Sequence, residues 1–301
     1  MIQNIDSSTQ RFLDNMAQMS DRMQQLEGQI ATGKRLVHAS DAPDSVSELL
    51  TVRASLARLD QTTTNLSQLK TETDTGEQSL ETAVQLFERL RTLAMTGAGT
   101  AQTASNRKMM ADEVSGIMDQ LVGIANTQAG GRYIFSGDSD QTQAYTLDWA
   151  QVPPVSAYAG SVSTRQVLDP SGVPFATSKT AQEIFDSSEP TKNAFQAITT
   201  LHDALMANDD AAIQAALAPL TSVGEHLNSM LGFFGNAQNQ VQNASNNLSK
   251  IKLQLQTELS GVQDADIVAS TVELQQLKIQ QQAALQVRAS MPKTSLFDFL
   301  K

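Results

Sequence analysis

Apolar positions near the start of the chain alternate in steps of three and four. Ile2, Ile5, Thr9, Phe12, Met16, Met19, Met23, Leu26 and Ile30 form one seam, and all but Thr9 are apolar. That is the heptad pattern of a helix presenting one narrow face to a partner. Gly33 supplies a stop, and Lys34 and Arg35 suit the negative end of a helix dipole. Residues 39–44 (ASDAPD) then predict a turn and a new helix. Ser40 or Asp41 can cap it, Pro43 fits its first turn and Asp44 complements its dipole. A second seam runs from about 46 to 94 through Leu49, Val52, Leu56, Leu66, Leu80, Phe87 and Leu90. At ~1.5 Å per residue such a helix is too long to wrap a round core. TGAGT at 96–100 ends it, and a third helix is predicted at about 104–128.

The pattern changes after Gly130-Gly131. Residues 132–137 read as a strand with a turn. The stretch 138–189 holds Pro153, Pro154, Pro170 and Pro174 among short strand-like runs at 161–168 and 173–176. It predicts a separate small β-rich domain, whose removal should be tolerated better than removal of either end. Helical spacing resumes at about 191, with Asn208-Asp209-Asp210 capping a further helix that Pro219 is expected to kink or interrupt. A last helix is predicted at about 267–289, before Pro292 and the tail SLFDFL. The reading is therefore a mainly α protein: an elongated helical bundle with terminal coiled-coil helices and a small β-rich central insertion. Its segments are 1–40, 41–137, 138–189, 190–262 and 263–301. The first seam is expected to lie along the last helix, and the 46–94 helix against the region around 220–262.

Composition narrows the function. Aromatics are only 5% of 301 residues, which favours long helices packed along thin seams. The formal charge is −11, and no third of the chain is basic, so nucleic acid or an anionic membrane is not an expected partner. No stretch approaches the ~18 apolar residues of a membrane span, and the first twenty residues lack a cleavable-signal pattern. Export, if it occurs, is expected to use another route. With no cysteine, disulfides and thiolate chemistry are excluded.

Two distant segments carry a resemblance. Residues 30–43 (IATGKRLVHASDAP) and 261–289 (GVQDADIVASTVELQQLKIQQQAALQVRA) resemble the paired signatures of the flagellin superfamily. ANTQAGGRYIFSG at 125–137, the terminal SLFDFL, and YAG at 158–160 followed by RQV at 165–167 are similar to its hook–filament junction branch. Pro292, close to the tail, departs from that pattern and would shorten the last helix. The resemblance implies an extracellular structural component of the bacterial flagellum that joins hook to filament and templates flagellin assembly, with a filament flagellin as the alternative. It further implies chain ends in an inner coiled-coil layer and export unfolded through the flagellar type III apparatus. The implied partners are further copies of the chain, a neighbouring hook-associated protein, flagellin or the next junction protein, and a cytoplasmic chaperone on the C-terminal region.

Candidate chemistry is sparse. Asp264 and Asp266 have the look of a carboxylate pair, yet acids at a helix start are placed there by the dipole. His38, His202 and His226 share no local motif with a nucleophile. No enzyme activity, cofactor or metal is expected. The residues expected to matter are assembly contacts: Ile5, Phe12, Met16, Met19, Met23, Leu26 and Ile30 at one end, and Leu274, Leu277, Leu285, Leu296, Phe297, Phe299 and Leu300 at the other. Each apolar stripe is one a lone helix cannot bury.

Overall fold

The computed structural model describes residues 7–36, 43–164, 166–168, 172 and 174–290. Ile5, His38, the caps Ser40 and Asp41, and the tail residues Leu296, Phe297, Phe299 and Leu300 lie outside them. In chain order the elements are α1 (Ser7–Thr32), α2 (Pro43–Gly97), α3 (Ala104–Ala125), β1 (Gln128–Ala129), β2 (Arg132–Tyr133), β3 (Gln166–Leu168), β4 (Pro174–Ala176), α4 (Ala181–Phe185), α5 (Ala194–Met206), α6 (Asp210–Gln263) and α7 (Ile267–Ser290). The chain divides into two compact units. One joins residues 1–59 to 251–301, and the other is the continuous middle, 60–250.

In the middle unit α3 packs on α5, and a single apolar cluster runs through Leu80, Phe87, Leu90, Val114, Leu121, Ile198, Leu201, Leu227 and Phe234. As the seams predict, α2 meets α6. A Cβ at Gly76 would stand 2.6 Å from the Phe234 ring, and Gln238 donates to the Glu77 carboxylate at 2.5 Å. Only a residue without a side chain lets that ring approach. Pro219 lies inside α6, so the helix does not start afresh there, which was one of the two outcomes expected of it. It forfeits one backbone hydrogen bond, at ~3 kcal/mol, but Ile213, Ala216, Leu220 and Val223 are buried on either side of it. Their burial offsets the loss at roughly 1.5–3 kcal/mol for each large side chain.

The central insertion is mostly irregular. Its regular β structure is the antiparallel pairing of β3 with β4, three residues a side, while β1 and β2 pair ahead of it. It shares the core of the helices. Tyr145, Val155, Ile184 and Phe185 are buried in the same cluster. A chain of ring contacts runs Phe234–Phe135 (5.9 Å), Phe135–Phe185 (6.3 Å), Phe185–Phe195 (6.2 Å) and Phe195–Tyr145 (4.9 Å). The GRYIFSG and YAG motifs meet here. The Tyr158 hydroxyl lies 3.1 Å from the Phe135 carbonyl oxygen, and Ser161 N–H donates to the Ser136 carbonyl at 2.9 Å.

Candidate assembly surface

In the unit formed by the chain ends, α1 lies antiparallel to α7. Gln29 sits by Ser270, Arg22 by Glu273 and Thr9 by Arg288. The predicted seam is the face that packs. Leu26 is buried, and Phe12, Met16, Met19, Met23 and Ile30 are half-buried. On α7 the facing positions are Ser270, Leu274, Leu277, Gln281, Ala284 and Arg288, again in steps of four and three. The Arg22 guanidinium donates to both oxygens of Glu273, at 2.8 and 3.0 Å. That hydrogen bond holds the Glu273 carboxyl below the usual carboxylate range and raises the Arg22 guanidinium. Both side chains are nearly half exposed, so the pair aligns the helices more than it stabilises them. Lys278 reaches Glu27 at 3.2 Å, and the Arg288 guanidinium lies 5.7 Å from the centre of the Phe12 ring.

The two signature segments touch. Gly33 takes a positive φ of 68°, a conformation that costs glycine little, and closes α1. The chain then pairs with the α6–α7 turn through a bridge of Lys34 with Asp264. Arg35 N–H donates to Gln263 O at 2.7 Å, and Ala265 N–H to Gly33 O at 3.0 Å. The Arg35 guanidinium donates to Val262 O at 2.9 Å, a cation on the carbonyl end of α6. Asp266 caps α7 by accepting from Ala269 N–H at 2.9 Å, and Asp264 accepts from the Ser260 hydroxyl at 2.5 Å. Both carboxylates thus have structural partners. Among the described residues no group of three His, Asp or Glu side chains could hold a metal ion. His202 pairs with Asp203 at 3.0 Å and lies beside the tilted Trp149 ring, and His226 meets the Glu183 carbonyl at 2.9 Å.

One feature of this surface was missed in the sequence. Val268, Val272 and Ile279 form a second apolar stripe on α7, opposite the α1-facing seam, and are 75%, 60% and 66% exposed. Leu285 and Val287 extend the exposed apolar area, whereas Leu274 and Leu277 face α1. The signal was the spacing of four and seven, blurred because apolar residues occur on both faces. Among the described residues no helix is long and apolar enough to cross a membrane.

Comparison with known proteins agrees with this geometry. Residues 4–140 match the bacterial flagellin N-terminal helical region, and 212–300 match the bacterial flagellin C-terminal helical region. Flagellar hook-associated protein 3 of Escherichia coli is 24% identical over 243 residues, covering 80% of this chain and 75% of that protein. A flagellin of Clostridium tyrobutyricum is 26% identical over 127 residues, 42% of this chain and 34% of its own. Among solved structures, a putative flagellar hook-associated protein from Vibrio parahaemolyticus superposes with a TM-score of 0.66 at 22% identity, over 74% of this chain and all of that one. The long paired helices and joined chain ends are those of a flagellin-type structural subunit, and the chain belongs to the flagellin superfamily. Within it, the likeness that spans most of this chain is to the hook-associated proteins, while the flagellin matches less than half of it.

Proposed function

We propose that this chain forms the junction between flagellar hook and filament, assembling with copies of itself and presenting a surface on which flagellin adds. The observation that carries the reading is the α1–α7 pair, which satisfies one stripe of each helix and leaves Val268, Val272 and Ile279 uncovered. An exposed apolar stripe of this extent calls for a partner. Repeated head-to-tail contact between copies gives a ring or helix rather than a closed dimer. The assembly residues are Phe12, Met16, Met19, Met23, Leu26 and Ile30 with Leu274, Leu277 and Leu285, together with Ile5 and the tail Leu296, Phe297, Phe299 and Leu300. A hook-associated protein adjoins it on the hook side, flagellin or a further junction protein on the filament side, and a chaperone holds the C-terminal region before export. The protein has no catalytic role in this reading, and works outside the cell. Electron microscopy of flagella from a strain lacking the gene tests it. Bare hooks with flagellin shed into the medium are expected, and filaments of normal length on those hooks would end the proposal.

A further inference from the structure

In the middle unit, residues 146–148 and 154–156 run antiparallel. Asp148 N–H donates to Pro154 O at 2.8 Å, Ser156 N–H donates to Thr146 O at 3.0 Å, and Leu147 faces Val155 between them. In that register the N–H and C=O of Val155 point away from Leu147, to the other edge of the segment. Val155 is 6% exposed, yet neither its N–H nor its C=O has a hydrogen-bond partner among the described residues, and the Ala157 N–H has none either. Unpaired backbone groups on a buried residue are uncommon, because each carries a desolvation cost. The edge borders a groove of about 440 Å³ between 153–157 and α5, within the roughly 300–1,000 Å³ range of ligand clefts. Its far wall includes Phe195, Gln196, Thr199, Asp186 and Asp203. The Asp186 carboxylate already accepts from Asn193 and Tyr145. Among the described residues the Asp203 carboxylate meets only His202, through one oxygen, and keeps the other toward solvent.

We propose that this groove receives an extended polypeptide strand carrying a basic side chain, which adds to the Val155 edge. Strand addition supplies main-chain hydrogen bonds from Val155 and Ala157, and alternate side chains of the guest fall toward Phe195 and toward Asp203. Asp203, with a side chain 72% exposed, is the natural partner for the guest's cation. Pro153 and Pro154 have no N–H to offer, so pairing stays short and the edge is protected from open-ended association. The site is separate from the α1–α7 surface and does not depend on the role proposed for it.

The test uses the full-length protein and the blocked peptide Thr-Val-Lys-Val-Thr as probe. On titration the Val155 and Ala157 amides should slow in hydrogen exchange by about tenfold. Emission from Trp149, the sole tryptophan, should shift with the same midpoint, because its ring lies 4.8 Å from that of His202, next to Asp203. Asp203→Lys should weaken binding by about fivefold, the scale of an exposed ion pair, and a peptide with Glu in place of Lys should bind the unaltered protein more weakly than the Lys peptide does. N-methylation of the peptide backbone at the pairing positions should abolish binding. Unchanged exchange at Val155 with peptide at millimolar concentration overturns the proposal, as does equal binding by Asp203→Lys. Protection that instead rises with protein concentration in the absence of peptide replaces the foreign strand with a second copy of this chain.

Discussion

Arg107 lies at the first turn of α3 with its side chain 4% exposed. Its guanidinium donates to Gly97 O at 2.9 Å, Gly99 O at 3.2 Å and the Asn208 side-chain oxygen at 2.8 Å, and it pairs with the Asp210 carboxylate. One side chain thereby satisfies the carbonyl end of α2 and ties the α2–α3 turn to the α5–α6 turn. Arg107→Leu leaves those carbonyls and Asp210 without their donor, and should destabilise the middle unit by about 3 kcal/mol in chemical denaturation. Tyr145 and Tyr158 give the same unit a sensitivity to alkali. Burial first, and then the Asp186 carboxylate, hold the Tyr145 hydroxyl well above the usual tyrosine range. Burial and then Glu183 push Tyr158 up to about 12. Unfolded tyrosines ionise near ~10, so the native state keeps protons that the unfolded state has lost. Stability is therefore fully present below about pH 10 and declines as pH rises through about 12. Urea midpoints across that range should fall, and Tyr145→Phe should flatten the fall.

At the scale of elements, the helices were legible because each is amphipathic along one seam. The α1 stripe appears in the structure at the positions its heptads name, and Gly33, the TGAGT turn and Asn208-Asp209-Asp210 stop or start helices as their backbone chemistry requires. The faces by which α1 and α7 pack on each other could be read in the same way, but the outer stripe of α7 could not. Val268, Val272 and Ile279 lie opposite Leu274 and Leu277, so the two periodic signals overlap. Arg107 was illegible for another reason. Nothing in ASNRKMMADE distinguishes a buried arginine from the exposed Lys108 beside it, because burial depends on where two distant turns meet. The partial burial of α1 and α7 has a dynamic consequence. Leu26 is the one fully buried apolar side chain on α1, and Ser270 is the one buried residue on α7. Helices of this length are marginal without packing. In the dilute monomer their amides should exchange far faster than those of α3 and α5, approaching the rates of unfolded chain. Protection in α1 equal to that in α5 would show that assembly does not order the ends.

At the scale of the whole chain, the seams predicted that the two ends meet, and the contacts of 33–35 with 262–265 bear this out. They could not show how the insertion is anchored, because its contacts follow no period. Tyr145, Tyr158 and Phe185 are scattered through proline- and glycine-rich sequence, yet they complete a run of rings begun by Phe135, Phe195 and Phe234. A chain with few aromatics concentrates them where irregular backbone must be fixed to helices, so loss of the whole insertion should cost the core of the middle unit. Burial of Tyr145, Val155, Ile184 and Phe185 contributes roughly 1.5–3 kcal/mol each, together comparable with the ~5–15 kcal/mol that holds a whole domain. Replacing 140–186 by a Gly-Ser linker should therefore abolish the cooperative thermal transition of the middle unit and its near-ultraviolet circular dichroism, while leaving much helical signal. Replacing only the segment 166–176, which carries β3 and β4, removes none of the described side chains of the core cluster; it should leave the melting temperature within a few degrees of the parent, since a ΔΔG of about 1 kcal/mol moves a domain of this size by about 2–4 °C. The contrast between the two variants is the test. A sharp, little-shifted melt from the 140–186 replacement would mean that the helices hold their core without the rings of the insertion.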